Sequence, residues 1–381
     1  MLNKDDTLLN ELLSDENLKV AKQRVKKNKG ASGIDGMEVK ELDEYLSKHL
    51  DEIKEQIRNK KYSPKPVKRV EIPKPDGAVR NLGVPTVVDR FVQQAIAQVL
   101  TPIYEPKFSE SSYGFRPNRC CEMAILKALE FMNDGYQWVV DIDLEKFFDN
   151  VNHDKMISLI MKDVKCGEIV SSINKFLKSG IMIDDEYKES VIGTPQGGNL
   201  SPLLSNIMLD QLDKELEARG LRFTRYADDC IILVGSSKAA DRVMKNVSIF
   251  IESKLGLKVN MTKSKVSKPN DIKYLGFGFF MDKNDGLWKA KPHAKSVEKL
   301  KLKLKKLTSR RWSISLDERL EKIKKAIVGW TNYYKIGYWK DVARLVDAHV
   351  RFRLRMCIWK QWKKVKTKKK ALISLGVPKR E

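Results

Sequence analysis

The chain has 381 residues, of which 42% are hydrophobic and 32% charged, and this leaves room for two or three globular domains. It has no run of about 18 uninterrupted apolar residues, and it begins with acidic and polar residues, so we expect neither a spanning helix nor a secretory signal, and a cytoplasmic location. The five cysteines form no Cys-x-x-Cys pair and the four histidines form no zinc pattern, which argues against disulfide scaffolds and zinc-dependent nuclease modules.

The positive charge is concentrated in the last quarter of the chain. The formal net charge is +23, and residues 289–381 contain 29 Lys and Arg against 7 Asp and Glu, together with five of the seven tryptophans. Clustered basic residues with interleaved aromatics are typical of a protein that binds a polyanion, most often nucleic acid. The alternative, a solvated and disordered tail, accounts less well for the tryptophans.

The N-terminal third is predicted to contain helices and one hairpin. Residues 1–60 form charged helices that a glycine-rich loop interrupts at 30–36. Residues 67–72 and 79–84 have β character and flank a Pro-Lys-Pro-Asp-Gly turn sequence, which predicts a hairpin. A helix follows, and its apolar face consists of Val88, Val92, Ala95, Ile96 and Val99.

Strands and helices alternate between residues 136 and 280. A short apolar strand runs from Trp138 to Asp143. Asn152 is predicted to cap a helix that continues to about 162, and Asn199 to cap a helix that Gly220 ends.

A hairpin follows, made of strands at 222–226 and 230–234, then a helix at 237–256 and a strand at 273–281. This order resembles a split βαβ sheet backed by helices. Residues 289–381 are almost entirely helical by pattern, so the fold class is α+β with a helical C-terminal part.

Three aspartates are predicted to meet at one edge of this sheet. Asp228 and Asp229 lie at the hairpin tip, where adjacent like charges repel and a counter-charge is expected. Asp143 ends a strand that would lie beside the hairpin. Carboxylate oxygens suit Mg²⁺, and two such ions about 4 Å apart serve in-line nucleotidyl transfer. A polar turn without a metal is the alternative for an isolated Asp-Asp pair.

Several motifs together resemble those of reverse transcriptases. Tyr-Ala-Asp-Asp at 226–229 resembles their catalytic hairpin, residues 141–150 their first catalytic strand, and residues 193–204 their nucleotide-pocket loop. The resemblance narrows to bacterial group II intron-encoded reverse transcriptase/maturases and spans roughly residues 20–381. The narrower motifs are Gly-Ile-Asp-Gly at 33–36, Ile-Pro-Lys-Pro-Asp-Gly at 72–77, Leu-Gly-Val-Pro-Thr at 82–86 and Tyr-Gly-Phe-Arg-Pro at 113–117.

The resemblance implies a right-hand polymerase fold. The N-terminal extension and fingers would occupy residues 1–135, the palm with its split βαβ-type antiparallel sheet residues 136–285, and the helical thumb or maturase domain residues 286–381. It also implies two Mg²⁺ ions, with Mn²⁺ as a substitute, held by Asp143, Asp228, Asp229 and the backbone of Leu144. Asp141, two residues earlier on the same strand face, is the alternative to Asp143.

The family further implies a nucleotide pocket. Phe148 matches the steric gate that excludes a ribose 2′-hydroxyl, whereas Phe147 is interpreted as a core residue. Lys263 matches a lysine that gives a proton to pyrophosphate, with Lys265 as the alternative. The remaining pocket residues implied are Lys74 and Arg80 on the triphosphate, and Gln196.

Primer, template and RNA contacts are implied as well. Tyr274, Leu275 and Gly276 resemble the strand that grips the primer end, although plain sheet core is an alternative. Gly33 belongs to the loop over the template. The thumb residues that would contact RNA are Arg353, Arg355, Trp359 and Lys363.

The expected function is RNA-directed DNA synthesis together with intron RNA binding as a splicing maturase. The expected partners are group II intron RNA, an RNA template with a DNA primer, and dNTPs, with no membrane and with dimerisation left open. The alternatives are a maturase that does not use its polymerase site and a reverse transcriptase of a defence or diversity-generating lineage. No nuclease or RNase H pattern is found, so we expect either a nuclease-less member or, as we favour, a chain truncated after the thumb.

Overall fold

The computed structural model describes residues 4–73, 79–184, 186–189, 192–194 and 197–378. The chain divides into two compact units. Unit 1 comprises Met1–Ala128 and Trp138–Val266, and unit 2 comprises Leu129–Gln137 and Ser267–Glu381. Within the described residues, no helix is both long and apolar enough to cross a membrane.

The secondary structure confirms an α+β chain whose last part is helical. The strands are β1 (Val67–Pro73), β2 (Val79–Val84), β3 (Trp138–Ile142), β4 (Ile181–Ile183), β5 (Glu186–Lys188), β6 (Arg222–Tyr226), β7 (Asp229–Val234), β8 (Lys265–Ser267), β9 (Phe277–Met281) and β10 (Trp288–Pro292). The helices are α1 (Lys4–Leu12), α2 (Asp15–Asn28), α3 (Leu42–Arg58), α4 (Val87–Tyr104), α5 (Cys121–Asn133), α6 (His153–Asp163), α7 (Gly167–Leu177), α8 (Ser201–Ala218), α9 (Ser237–Phe250), α10 (Ala294–Leu307), α11 (Leu316–Tyr333), α12 (Lys340–Gln361) and α13 (Val365–Ser374).

Unit 1 holds a sheet built on the predicted N-terminal hairpin. Strands β1 and β2 are antiparallel, with Lys68 opposite Val84 and Ile72 opposite Arg80. β4 joins β1 in parallel and β5 pairs with β4, which gives the order β2-β1-β4-β5. The hairpin prediction is therefore confirmed.

The central sheet of unit 1 has the order β6-β7-β3-β8. The hairpin β6–β7 is antiparallel, and β3 pairs antiparallel with β7. The strand interiors are buried, with Val139, Val140 and Ile232 fully excluded from solvent, and α8 and α9 pack against the sheet. Val139 and Val140 are consecutive residues that point to opposite faces, so both faces of this part of the sheet are covered.

The helix ends in unit 1 match most of the capping signals. The Asn152 side chain accepts from Lys155 N–H and caps α6, and Gly220, with φ +65°, follows the end of α8, as predicted. The prediction that Asn199 caps α8 is wrong. Leu200 occupies that position without a side-chain bond, while the Asn199 amide donates to Gln94 at 3.1 Å.

Unit 2 combines a small hairpin with helices. β9 and β10 pair antiparallel, and α10, α11 and α12 enclose a core that includes Leu300, Leu304 and Ile323. The predicted strand at 273–281 begins only at 277, because Leu275 and Gly276 adopt positive φ values of +48° and +84° and make a turn. The predicted palm–thumb boundary at 285–286 falls inside the β9–β10 hairpin.

Candidate active site

The paired aspartates lie at the tip of the β6–β7 hairpin. Tyr226 and Asp229 form the last pair, so Ala227 and Asp228 make a two-residue turn. Ala227 has φ +57°, a conformation that such turns usually give to glycine. Asp228 is half-buried and Asp229 is exposed. Both carboxylates therefore sit at one end of the sheet, and the backbone between them and β6 is strained.

A buried arginine supports this turn by a hydrogen bond to its backbone. The Arg225 side chain is fully buried, and its Nη1 donates to Ala227 O at 2.9 Å. Its Nε donates to Asp213 Oδ1 at 2.7 Å, in an ion pair whose two side chains are completely excluded from solvent. The guanidinium also donates to Asn206 Oδ1 at 3.1 Å and to Ser112 Oγ at 2.8 Å. Two other parts of the chain, α8 through Asn206 and Asp213 and the segment that contains Ser112, thus converge on the residue that holds the turn carbonyl.

Arg225 was not among the site residues predicted from the sequence. The available signal was a charged residue in the strand sequence Arg-Phe-Thr-Arg-Tyr, immediately before the acidic motif. Period-2 alternation places Arg225 on the same face as Phe223, so the pattern puts a charge on an apolar face, but it does not reveal which carboxylate pairs with that charge.

The segment at 111–114 also supports the hairpin. The Tyr113 N–H donates to Arg225 O at 2.8 Å, and the Arg225 N–H donates to Ser111 O at 2.9 Å. A Cβ added to Gly114 would lie only 2.2 Å from the backbone nitrogen of Ala227. Gly114 is therefore required by the close approach of two backbones.

Asp143 lies next to the same end of the sheet. The last pair between β3 and β7 is Ile142 with Cys230, so Asp143 and Asp229 are the next residues of the two strands at that end. The Asp143 N–H donates to Ser264 Oγ at 3.0 Å, and the Asn260 N–H donates to Asp143 O at 2.8 Å. The backbone of Asp143 is thereby fixed between the hairpin and the 260–264 turn.

Lys263 and Lys265, the two candidates for the proton-donating lysine, interact with different aspartates. Lys263 Nζ lies 3.9 Å from Asp143 Oδ2, and the lysine side chain is largely exposed. Asp141 lies within β3, and its burial raises its pKa to about 6 against the opposing charge of Lys265, with Asp143 adding to the rise. Asp141 pairs with Ile231 inside the strand, whereas Asp143 lies just beyond the last pair and next to Asp229, which favours Asp143 over Asp141.

The donor chemistry of the site fits a hard divalent cation, since three carboxylates from two neighbouring strand ends offer only oxygen. Among the residues that the structure describes, however, no three Asp, Glu, His or Cys side chains are gathered closely enough to hold a metal ion. The Asp143 carboxylate faces the Lys263 ammonium. Leu144, whose backbone is the fourth predicted metal ligand, forms an isolated antiparallel bridge with Val259.

The predicted nucleotide pocket lies only partly within the described residues. Phe147 is buried and touches Phe148 edge-on at a ring distance of 5.1 Å, which confirms the interpretation of Phe147 as core, while Phe148 is half-buried. Lys74 and Gln196 lie outside the described residues. Arg80 pairs through its backbone with Ile72, and its side chain is likewise outside the description.

The predicted primer-grip residues form a tight turn in unit 2. Tyr274 and Phe277 exchange backbone hydrogen bonds of 3.0 and 2.8 Å around Leu275 and Gly276. The Tyr333 hydroxyl donates to Leu275 O at 2.8 Å. Beside this turn lies a groove of about 480 Å³, whose lining includes Lys273, Lys299, Lys303, Lys325, Trp330 and Tyr333.

Of the remaining residues predicted to contact nucleic acid, Gly33 and Arg353 have packing or bonding roles within the protein, and the other three are exposed. A Cβ on Gly33 would lie 2.7 Å from Thr86 Cα, so backbone packing alone requires this glycine. Arg353 donates through Nε to Thr308 Oγ1 at 3.1 Å and through Nη2 to Lys305 O at 3.1 Å, which ties α12 to the end of α10. Arg355, Trp359 and Lys363 are exposed.

Comparison with known families agrees with this geometry. Residues 72–279 match the family described as "Reverse transcriptase (RNA-dependent DNA polymerase)", and the chain belongs to that family. Residues 297–374 match the "Group II intron, maturase-specific domain". Together the two matches make the chain a reverse transcriptase/maturase of the group II intron-encoded type.

Named relatives point to the same group. The Group II intron-encoded protein LtrA of Lactococcus lactis subsp. cremoris is 38% identical over 213 residues, which cover 56% of this chain and 35% of that protein. Protein YkfC of Escherichia coli is 31% identical over 284 residues, 64% of this chain and 74% of that protein. An uncharacterized 91 kDa protein in the cob intron of Schizosaccharomyces pombe is 28% identical over 334 residues, 72% of this chain and 41% of that protein. The chain thus spans about a third of the length of LtrA.

Proposed function

We propose that the protein synthesises DNA on an RNA template from a DNA primer and dNTPs, and that it also binds group II intron RNA as a splicing maturase. The observation that carries the catalytic part is the position of Asp143 one residue beyond the last β3–β7 pair, next to the hairpin that bears Asp228 and Asp229. A polymerase of this kind needs those carboxylates at one edge of the palm sheet.

The three aspartates, with the Leu144 carbonyl, would hold two Mg²⁺ ions, or Mn²⁺ in their place. Ions bound there lower the pKa of a primer 3′-hydroxyl and neutralise charge on the phosphates. Lys263, beside Asp143, is available to give a proton to the departing pyrophosphate. Phe148 would close the sugar side of the pocket, while Lys74, Arg80 and Gln196 would bind the rest of the nucleotide.

The nucleic-acid partner is supported by the chemistry of unit 2. Four lysines and three aromatic side chains line the groove beside the Tyr274–Phe277 turn, a combination that suits phosphates and stacked or sugar groups. Exposed Arg355, Trp359 and Lys363 on and after α12 offer the same chemistry for intron RNA.

The experiment that tests the proposal is primer extension on an RNA template with Mg²⁺. Asp229→Asn should reduce DNA synthesis by at least about 100-fold, since even outer-shell changes at metal sites cost 10- to 100-fold. Asp241→Asn makes the same charge change at an exposed position of α9 and should retain activity.

Intron RNA binding, measured on the same variants, separates the two activities. Asp229→Asn should bind RNA as the unaltered protein does, because residue 229 is not part of the basic sequence at 289–381. Loss of both activities in Asp229→Asn would mean that the acidic site is structural, and a wild-type protein with RNA binding but no DNA synthesis would leave only the maturase function.

A further inference from the structure

The loop that leads into the predicted nucleotide pocket is fastened to the backbone of the predicted steric gate. The Thr194 N–H donates to Phe148 O at 2.6 Å, and the Gly193 N–H donates to Val151 O at 2.8 Å. Asn152 and Ile192 form an antiparallel bridge at the end of the same contact. Residues 192–194 therefore lie along the chain segment that carries Phe148 and are bonded to its backbone.

Gly193 makes this close contact sterically feasible. Its φ is +101°, and a Cβ added there would lie 3.0 Å from both Phe148 O and Asp149 O. On the other side of Pro195 and Gln196, a Cβ on Gly197 would lie 2.7 Å from Gly83 O. The described residues on both sides of Gln196 are thus held by close backbone packing, one side against the Phe148 segment and the other against β2.

One side chain ties the loop to a helix. His153 is the first residue of α6 and is only 3% exposed, and its Nε2 lies 2.6 Å from Gly193 O. A carbonyl oxygen only accepts, so Nε2 carries the proton. Nδ1 is buried and has no hydrogen-bond partner among the described residues, which fits the neutral ring with a single N–H. Burial also lowers the pKa of His153, which favours the neutral ring.

The support behind His153 is rigid. Asn152 caps α6 by accepting from Lys155 N–H at 2.9 Å, and Met156 and Ile160 of the same helix are fully buried in the main core. A hydrogen bond from a side chain on a capped, buried helix restricts the Gly193 carbonyl more than a loop without regular secondary structure could do by itself.

We propose that His153 is a positioning residue for nucleotide selection: by holding the Gly193 carbonyl, it fixes the 192–194 segment against Phe148 and so sets how tightly the pocket fits a deoxynucleotide. The proposal rests on the function proposed above. His153 touches no substrate in this scheme. It acts through the loop, so its loss should affect nucleotide binding and sugar discrimination more than the chemical step.

The test is steady-state extension with dNTPs and with rNTPs by His153→Ala. Loss of one buried hydrogen bond corresponds to roughly a tenfold effect. We expect KM for the dNTP to rise by about that factor, the dNTP/rNTP preference to fall by about fivefold or more, and kcat to change by less than about threefold. His153→Gln keeps an N–H donor and should recover most of both effects.

Met156→Ala is the matched control, because it truncates a fully buried side chain of the same helix without touching Gly193. Amide hydrogen exchange gives a second readout: His153→Ala should speed exchange in peptides containing residues 192–194, and Met156→Ala should do so far less. Thermal unfolding of both variants checks that they fold.

Three outcomes would overturn the proposal. They are an unchanged dNTP/rNTP preference in a folded His153→Ala, equal effects of Met156→Ala and His153→Ala, and a folded His153→Gln that recovers neither readout. Each can be recognised while the wild-type protein extends primers and Asp229→Asn does not, so failure of this proposal is distinct from failure of the proposed function.

Discussion

The buried pair formed by Arg225 and Asp213 offers a quantitative test of how the acidic hairpin is held. Both side chains are completely buried, and Asp213 supplies the charged acceptor of the guanidinium. We predict that Asp213→Ala lowers the free energy of unfolding by about 3–5 kcal/mol, the usual effect of removing one partner of a buried ion pair.

The hydrogen bonds around Arg225 set an upper limit to this loss of stability and provide a smaller reference loss for comparison. The guanidinium keeps three neutral acceptors after the substitution, namely Asn206 Oδ1, Ser112 Oγ and Ala227 O, so the loss stays far below the tens of kcal/mol of an isolated buried ion. Ser112→Ala removes only one neutral acceptor and should destabilise by about 1–3 kcal/mol. The difference between the two variants measures the charge contribution.

The assay is urea denaturation followed by circular dichroism, with the slope m compared between variants so that a changed midpoint reports stability alone. The double variant Arg225→Met, Asp213→Leu should recover part of the loss, because it leaves no unpaired charge. If Asp213→Ala costs less than about 1 kcal/mol, or no more than Ser112→Ala, the buried pair does not anchor the hairpin and the reasoning fails.

Three further predictions concern the site and the nucleic-acid surface. Phe148→Ala should raise ribonucleotide incorporation by about 10- to 100-fold in primer extension, and an unchanged sugar preference would place the gate elsewhere. Gly114→Ala should destabilise by about 1–3 kcal/mol and reduce DNA synthesis, because its Cβ would strike the Ala227 backbone, whereas Gly235→Ala, with nothing within 4 Å, should change urea stability little. RNA affinity should fall roughly 10³-fold between 50 and 200 mM salt if six or more phosphates are contacted, and a nearly flat salt dependence in filter binding would contradict a phosphate-dominated surface.

Local signals predicted the parts of the fold that local energetics decide. Asn152 caps α6 through a bond to Lys155 N–H three residues away, and the Tyr-Ala-Asp-Asp turn joins two strands adjacent in sequence. In both cases the interacting groups lie within a few residues of one another, so sequence pattern and structure agree.

Local sequence signals gave wrong predictions where a residue far away in the chain bonds to the side chain or backbone concerned. Asn199 has a good capping side chain, but its amide bonds to Gln94, about a hundred residues earlier, and α8 begins later instead. The strand predicted from 273 starts at 277, because the turn before it is held by the hydroxyl of Tyr333 on α11. A single sequence does not reveal either partner.

In the candidate site, the sequence likewise indicates the reacting groups but not the residues that hold them in place. The acidic motif indicates which groups would do the chemistry, because the residue types and their order carry that information. What holds Ala227 at φ +57° comes from Ser112 and from Asn206 and Asp213 of α8, three polar residues that converge on Arg225. Alanine adopts a positive φ less readily than glycine does, so the backbone at Ala227 is strained and other interactions have to offset the strain. The Arg225 Nη1 supplies one of them by donating to the Ala227 carbonyl at 2.9 Å. The residues that determine the geometry of the turn are therefore buried ones, which no motif of the catalytic hairpin contains.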